Sequence, residues 1–268
     1  MASLTDAAGA APALSRASQR WILAAAMLGS SIVFLDGTVV NVALPRIGRE
    51  LPSRLLGTLE GQTYVYNGYL LTLSALLVLA GALSDEYGRK RTFVVGLLGF
   101  GVASVLCGVA PSIELLIAAR VLQGAAGALL VPGSLALLRV NFEGAQQGRA
   151  YGLWAAGTSL TTLAGPFLGG LLVDTVSWRA AFLVNVPLVA VALYAALAHL
   201  PESRDEETTR GFDWLDAGLF ALAVGGLSFG AIYGEQRAEE FGRRNAVPGE
   251  LLVRVRPERV VALDGIAD

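Results

Sequence analysis

The 268-residue chain is 54% hydrophobic and 16% charged, with a mean hydropathy of +0.58 and a net charge of −2. A soluble domain carries about 25% charged residues, whereas here apolar residues run in blocks of about 20, the length that crosses ~30 Å of hydrocarbon. These figures exclude a water-soluble enzyme, a disulfide-built secreted domain (Cys107 is the lone cysteine) and a disordered chain, and so small a net charge draws no nucleic acid.

Taken in chain order, residues 1–20 read as a flexible cytoplasmic leader rich in Ala and Ser. Seven apolar blocks follow: Trp21 to Leu44, Tyr64 to Leu83, Thr92 to Ala110, Ile113 to Leu138, Ala150 to Val173, Ala180 to Leu200 and Leu215 to Gly234. Each is predicted to be a helix, because an isolated strand leaves its backbone groups unsatisfied in lipid. The segments of about ten alternating residues that mark a membrane β-barrel are absent. The organisation expected is therefore an all-α membrane protein: a six-span bundle over 21–200, a cytoplasmic linker over 201–214 and a seventh span over 215–234.

Basic residues set the expected orientation. With the N-terminus inside, Arg16, Arg20, Arg89, Lys90, Arg91, Arg139, Arg149, Arg204 and Arg210 face the cytoplasm. Arg46, Arg49, Arg54 and Arg179 then lie outside, and the larger inner set favours this topology. From Glu235 the chain turns polar, and Leu251 to Val261 reads as a short exposed strand interrupted by Pro257. A truncated gene or a shifted reading frame accounts for this 235–268 tail as well as a small appended domain does.

Few ionisable residues fall within the blocks: Asp36, Glu114, Arg120, His199 and Asp216. A charge at the bilayer centre costs at least ~2.5–3.5 kcal/mol, so each one needs a partner or a route to water. Glu114, His199 and Asp216 lie near block ends and reach the interface by snorkelling. Asp36 and Arg120 lie deeper. Asp36 is 8 residues before Leu44 and Arg120 is 7 residues after Ile113. At ~1.5 Å per residue, both sit roughly 10–12 Å from the same membrane boundary. An acid and a base at one depth on different helices pair directly or through water. The pair is either a static packing device or, if it lines a cavity, a proton switch in which Arg120 stays charged and a cationic or polar substrate competes for Asp36.

Residues 81–91 read Gly81-Ala82-Leu83-Ser84-Asp85-Glu86-Tyr87-Gly88-Arg89-Lys90-Arg91. This resembles the signature loop of the major facilitator superfamily, G-x-L-[SA]-D-x-x-G-R-[KR]. Leu35 to Pro45, with Asp36, Thr38 and Asn41, resembles the first-span signature of its drug:proton antiporter subfamily with fourteen spans, L-D-x-T-x-x-N-x-A-L-P. Arg120, Gln123 and Gly124 fit the fourth-span R-x-x-Q-G motif. Gly152, Gly165, Pro166, Gly169 and Gly170 fit the fifth-span antiporter motif, with Thr161 standing where glycine is usual and so predicting a looser contact. Trp178, Arg179, Phe182, Asn185 and Pro187 resemble a further segment of the same subfamily.

The resemblance covers Trp21 to Gly234. It implies a proton-coupled multidrug efflux transporter in the cell membrane, with proton coupling at Asp36 and Arg120. Gating would fall to Gly81, Asp85, Gly88, Arg89, Gly165, Pro166, Gly169 and Gly170, and Asn41 and Gln123 would face the substrate cavity. The partners implied are the lipid bilayer, protons, small amphipathic or cationic substrates, and a missing C-terminal bundle or second membrane chain. Without that bundle the chain is not expected to transport alone. A superfamily uptake carrier and a non-transporting module, a sensor or a partner subunit, remain the alternatives. No cofactor is implied, no enzyme, and no metal, since the chain has one His and one Cys.

Overall fold

The computed structural model describes residues 15–203 and 214–245, and every element among them is helical. In order these are α1 (Arg16–Glu50), α2 (Thr58–Tyr87), α3 (Arg89–Val109), α4 (Ile113–Asn141), α5 (Gly144–Thr175), α6 (Ala180–Leu183), α7 (Asn185–His199) and α8 (Trp214–Asn245). Helices α1 to α5, and α6 with α7 taken together, are each long and apolar enough to cross a membrane. The chain divides into two compact units, residues 1–228 and 229–268, and the site described below lies wholly within the first.

Helix ends follow local chemistry. The Ser15 side chain accepts from the Ser18 N–H at 3.1 Å and opens α1, and Ser112 does the same for Leu115 at 3.4 Å in α4. Glu60 Oε2 accepts the Gly57 N–H at 3.2 Å and starts α2. Apolar blocks mark the membrane core rather than the helix limits, so α1 begins before Trp21 and runs past Leu44, and α2 begins before Tyr64. Residues 16–20 of the expected leader are thus helical, while 1–14 lie outside the described residues. Helix α8 continues to Asn245, so the first part of the expected 235–268 tail is helical. Most of the linker, 204–213, and the strand expected at 251–261 lie outside the described residues.

Helix α3 shows what solvent this bundle is built for. Its inward face carries Phe93, Leu97, Phe100, Ser104 and Cys107, and its outward face carries Val95, Leu98, Val102, Leu106 and Val109. A helix apolar on both faces belongs in lipid, where the outer stripe costs nothing. Packing pairs α2 with α4, α3 with α4 and α7, and α1 with α5, α7 and α4. The α1–α5 seam is a row of small positions four apart on α5: Gly157 against Met27, Thr161, Gly165 against Thr38, and Gly169. A Cβ at Gly169 would lie 3.1 Å from the Val39 backbone. At Thr161 the looser contact expected is bridged instead, its hydroxyl lying 3.3 Å from that of Ser31.

Two apolar clusters fill the interior. One contains Ile22 to Val33 of α1, Phe93 to Phe100, Ala126 to Leu138 and Val189 to Leu200. The other contains Leu35 to Ile47 of α1 with Leu51 just beyond it, Cys107, Ile113 to Ala119, and Trp178 to Phe182. These helices change cluster at or beside a polar residue: α1 between Val33 and Leu35, next to Asp36, α3 at Ser104, α4 at Arg120 and Gln123, and the α6–α7 pair at Asn185. A polar layer therefore separates two oily ones.

Candidate functional site: a buried ionic layer

Asp36 and Arg120 are each 0% exposed, although they stand 84 residues apart in the chain. Arg120 Nη1 donates to Asp36 Oδ2 and also, at 2.7 Å, to Gln123 Oε1. Its Nε donates to the Val65 carbonyl at 3.3 Å, and its Cζ lies 3.9 Å above the Tyr69 ring. The guanidinium is thus held by a carboxylate, an amide oxygen, a backbone carbonyl and an aromatic face, from three helices. Five donors in a rigid plane allow this, where an ammonium would reach fewer partners.

The second carboxylate oxygen has other company. Asp36 Oδ1 accepts from Gln123 Nε2 at 2.9 Å and from Asn185 Nδ2 at 2.8 Å. Ser104 Oγ accepts from the same two amides, at 2.9 and 3.4 Å. Donor-only Arg120 faces the oxygen of Gln123, which fixes that amide with its NH2 toward Asp36 and Ser104. Gly124 follows Gln123 because a Cβ there would lie 2.5 Å from the Tyr69 carbonyl, so glycine lets α2 approach closely enough for Tyr69 to cover Arg120. Asn185 reaches the layer from the start of α7, where Val184 joins it to α6 with helical backbone angles (φ −60, ψ −26). Pro187 has no N–H for the Leu183 carbonyl four residues back, so one helical hydrogen bond is missing there.

The other residues singled out by the sequence fall elsewhere. Gln123, expected on a cavity wall, is sealed inside the layer at 0% exposure, while Asn41 is exposed and outside it. The pair itself, expected beside a wet cavity, is enclosed by Tyr69, Gln123 and Asn185. Gly165 and Gly169 form the α1–α5 seam, whereas a Cβ at Gly170 or Gly152 would meet open space, and α5 continues through Pro166. Glu114, taken for a snorkelling end residue, holds the α1–α2 loop by accepting from Ser53 Oγ at 2.9 Å and from the Arg54 and Leu55 N–H groups at 2.8 and 3.2 Å. His199 stacks on Trp21 with ring centroids 4.9 Å apart.

The signature turn joins α2 to α3. Arg89 Nη2 donates to Asp85 Oδ1 at 2.7 Å across it. Gly88 has φ +102, open to glycine and strained for other residues, and a Cβ there would lie 2.6 Å from Glu202 Oε1. The same Glu202 oxygen accepts the Lys90 N–H at 3.2 Å, while Lys90 Nζ donates to the Leu197 and Leu200 carbonyls at 3.2 and 2.7 Å. The start of α3 and the end of α7 cap each other. Gly81 meets only an ordinary contact with Pro132, at 3.9 Å. Sequence reasoning assigned no role to Ser104, Tyr69 or Glu202. A polar residue inside an apolar block was the available signal for Ser104 alone.

Comparison with known proteins settles the family, because the model of the Major Facilitator Superfamily matches residues 26–234 and so contains every part of the ionic layer. The chain belongs to this superfamily of transporters. It is 38% identical over 232 residues to the tetracenomycin C resistance and export protein of Streptomyces glaucescens, covering 86% of this chain and 42% of that one. It is 41% identical over 220 residues to the multidrug resistance protein Stp of Mycobacterium tuberculosis (strain CDC 1551 / Oshkosh), covering 82% and 40%. The chain therefore spans less than half the length of these relatives. A crystal structure of the peptide transporter POT (E310Q mutant) in complex with sulfate superposes with a TM-score of 0.60 at 12% identity, covering 83% of this chain and 49% of that one. A bacterial homologue of the human lysosomal transporter Spinster gives 0.58 at 17%, covering 74% and 47%. Both share the fold.

Proposed function

We propose that this chain supplies one helix bundle of a proton-coupled drug exporter, with Asp36 as the proton carrier and Arg120 as its fixed counter-charge. The observation that carries the reading is the Asp36–Arg120 pair at zero exposure, bridging α1 and α4 inside a polar layer. Replacing a buried ion pair with packed apolar residues is often neutral or stabilising, so stability alone is a poor reason to keep one. A carboxylate whose counter-charge shifts when it gains a proton converts proton binding into helix movement. The names of the resistance and export proteins above support drugs as cargo, and small amphipathic or cationic molecules suit a carboxylate competing with protons.

In this reading the chain sits in the cell membrane with its N-terminus cytoplasmic, and Gly81, Asp85, Gly88, Arg89 and the α5 glycines with Pro166 serve conformational change. Asn41, on the exposed surface, is the residue of the first-span motif offered to a substrate. A bundle of this fold transports by rocking against a second bundle, so the 268-residue polypeptide alone is not transport-competent.

Two measurements test this. The chain reconstituted alone in proteoliposomes is expected to give no uncoupler-sensitive efflux of a cationic dye; robust efflux overturns the claim of incompetence. In nanodiscs, a cationic dye is expected to bind more tightly at pH 8 than at pH 6, with the difference lost in Asp36→Asn. Binding independent of pH in the unmodified chain contradicts the coupling role.

A further inference from the structure

We infer that Asn185 is a positioning residue that directs the proton to one oxygen of Asp36, the oxygen held by Arg120. The inference rests on the proton-coupling reading above and adds the route by which protonation is tied to the arginine.

A carboxylate oxygen has two lone-pair sites. On Oδ1 both are taken, one by Gln123 Nε2 at 2.9 Å and one by Asn185 Nδ2 at 2.8 Å. On Oδ2 the bond is from Arg120 Nη1, and one site stays open. Gln123 cannot turn over cheaply to accept a proton from Oδ1, because its oxygen already receives Arg120. In the arrangement the fold holds, Asn185 gives its NH2 both to Oδ1 and to Ser104 Oγ. A proton entering the layer is left with Oδ2.

Arrival there has a consequence that arrival at Oδ1 would not. It cancels the charge on the very atom that Arg120 grips, and the charge-assisted bond becomes a weaker contact to a neutral hydroxyl oxygen. Arg120 still has the Gln123 oxygen, the Val65 carbonyl and the Tyr69 ring, so release from Asp36 does not leave it unpartnered. With Asn185 removed, Oδ1 opens and Asp36 takes a proton on the far side while Oδ2 still accepts from the guanidinium. Proton loading and arginine release then separate.

The other titratable groups facing this carboxylate are Tyr69 from α2 and Cys107 from α3, in addition to Arg120 from α4. Helix α5 contributes none that bonds to it, its ionisable residues being Arg149, Tyr151 and Asp174, and neither do Tyr194 and His199 of α7. Asn185 is the one polar hold that the sixth span places on Asp36.

The test is infrared difference spectroscopy of the whole chain in nanodiscs during acid titration, with the carboxylic C=O band assigned by its loss in Asp36→Asn. In the unmodified chain the guanidinium bands of Arg120 should change in step with that band. In Asn185→Leu, which keeps the volume and removes the N–H donor, Asp36 should bind its proton about tenfold more tightly, a shift of about one pH unit. The guanidinium response should shrink at the same time. Ser104→Ala, a smaller change that removes the oxygen accepting from both amides, should move both in the same direction by less, and it serves if the leucine variant does not insert. An Asp36 band present in the unmodified chain but unmoved in both variants overturns the role of Asn185 and leaves the proton reading standing. Absence of any Asp36-dependent band overturns both.

Discussion

Among the described residues the bundle contains two aspartate–arginine pairs, and they are opposites in every respect but composition. Asp36–Arg120 joins two helices across 84 residues of chain with neither side chain exposed. Asp85–Arg89 spans a single turn of chain, and Asp85 is 46% exposed. The first sits where charge is costly, so its geometry is dictated by what else can satisfy the ions: Gln123, Asn185, Val65 and Tyr69. The second sits where water can satisfy either partner, and its geometry is dictated by the backbone of Gly88 and the mutual capping of α3 and α7. An ion pair in a membrane protein thus reports on its surroundings more than on its own strength.

Breaking the buried pair should have the largest effect. Arg120→Leu leaves Asp36 charged without a counter-ion and should cost about 3–5 kcal/mol in the unfolding of the detergent-solubilised chain. The double variant Asp36→Leu with Arg120→Leu should recover much of that loss, and a double variant as unstable as the single one would mean that the pair is not the unit of stability. Arg120→Lys should keep the charge and lose the simultaneous hold on Asp36, Gln123 and Val65, so it should fail to restore pH-dependent dye binding.

Next comes the α1–α5 seam. Gly165→Val drives a side chain onto Thr38, and overpacking of this kind should cost about 1–3 kcal/mol. Gly170→Ala, where a Cβ meets open space, should change the unfolding temperature little. Equal losses at the two glycines would remove the seam from the account. At the exposed end, Gly88→Ala should cost roughly 1–2 kcal/mol through its left-handed backbone, with Glu202 free to swing aside. Glu202→Gln weakens one cap of α3 and should be the mildest change at this turn, seen as faster amide hydrogen exchange at Lys90 with the unfolding temperature nearly unchanged.

How much was legible in advance follows from these same residues. Asp36 and Arg120 were visible because charge inside an apolar block has few explanations, and counting rise per residue placed them at one level. Gln123 was visible as part of a motif and was misplaced, since a motif states that an amide is needed and not which way it faces. Asn185 and Ser104 are ordinary polar residues to any hydropathy count. Only the fold brings Asn185 to within hydrogen-bond distance of the Asp36 carboxylate, and Ser104 to the two amides that hold it. The row of small residues on α5 was half-read, because Gly157 belongs to it through its contact with Met27 on another helix.

From sequence alone came the solvent, the helical class and six of the seven crossing segments expected, because hydrocarbon thickness and backbone hydrogen bonding leave few ways to arrange such a chain; the superfamily came from the resemblance of its motifs. Tertiary structure alone decided which helix touches which and which donor each oxygen of Asp36 receives. Those depend on side chains meeting across helices, and contact between residues far apart in sequence is a property of packing that no local pattern encodes.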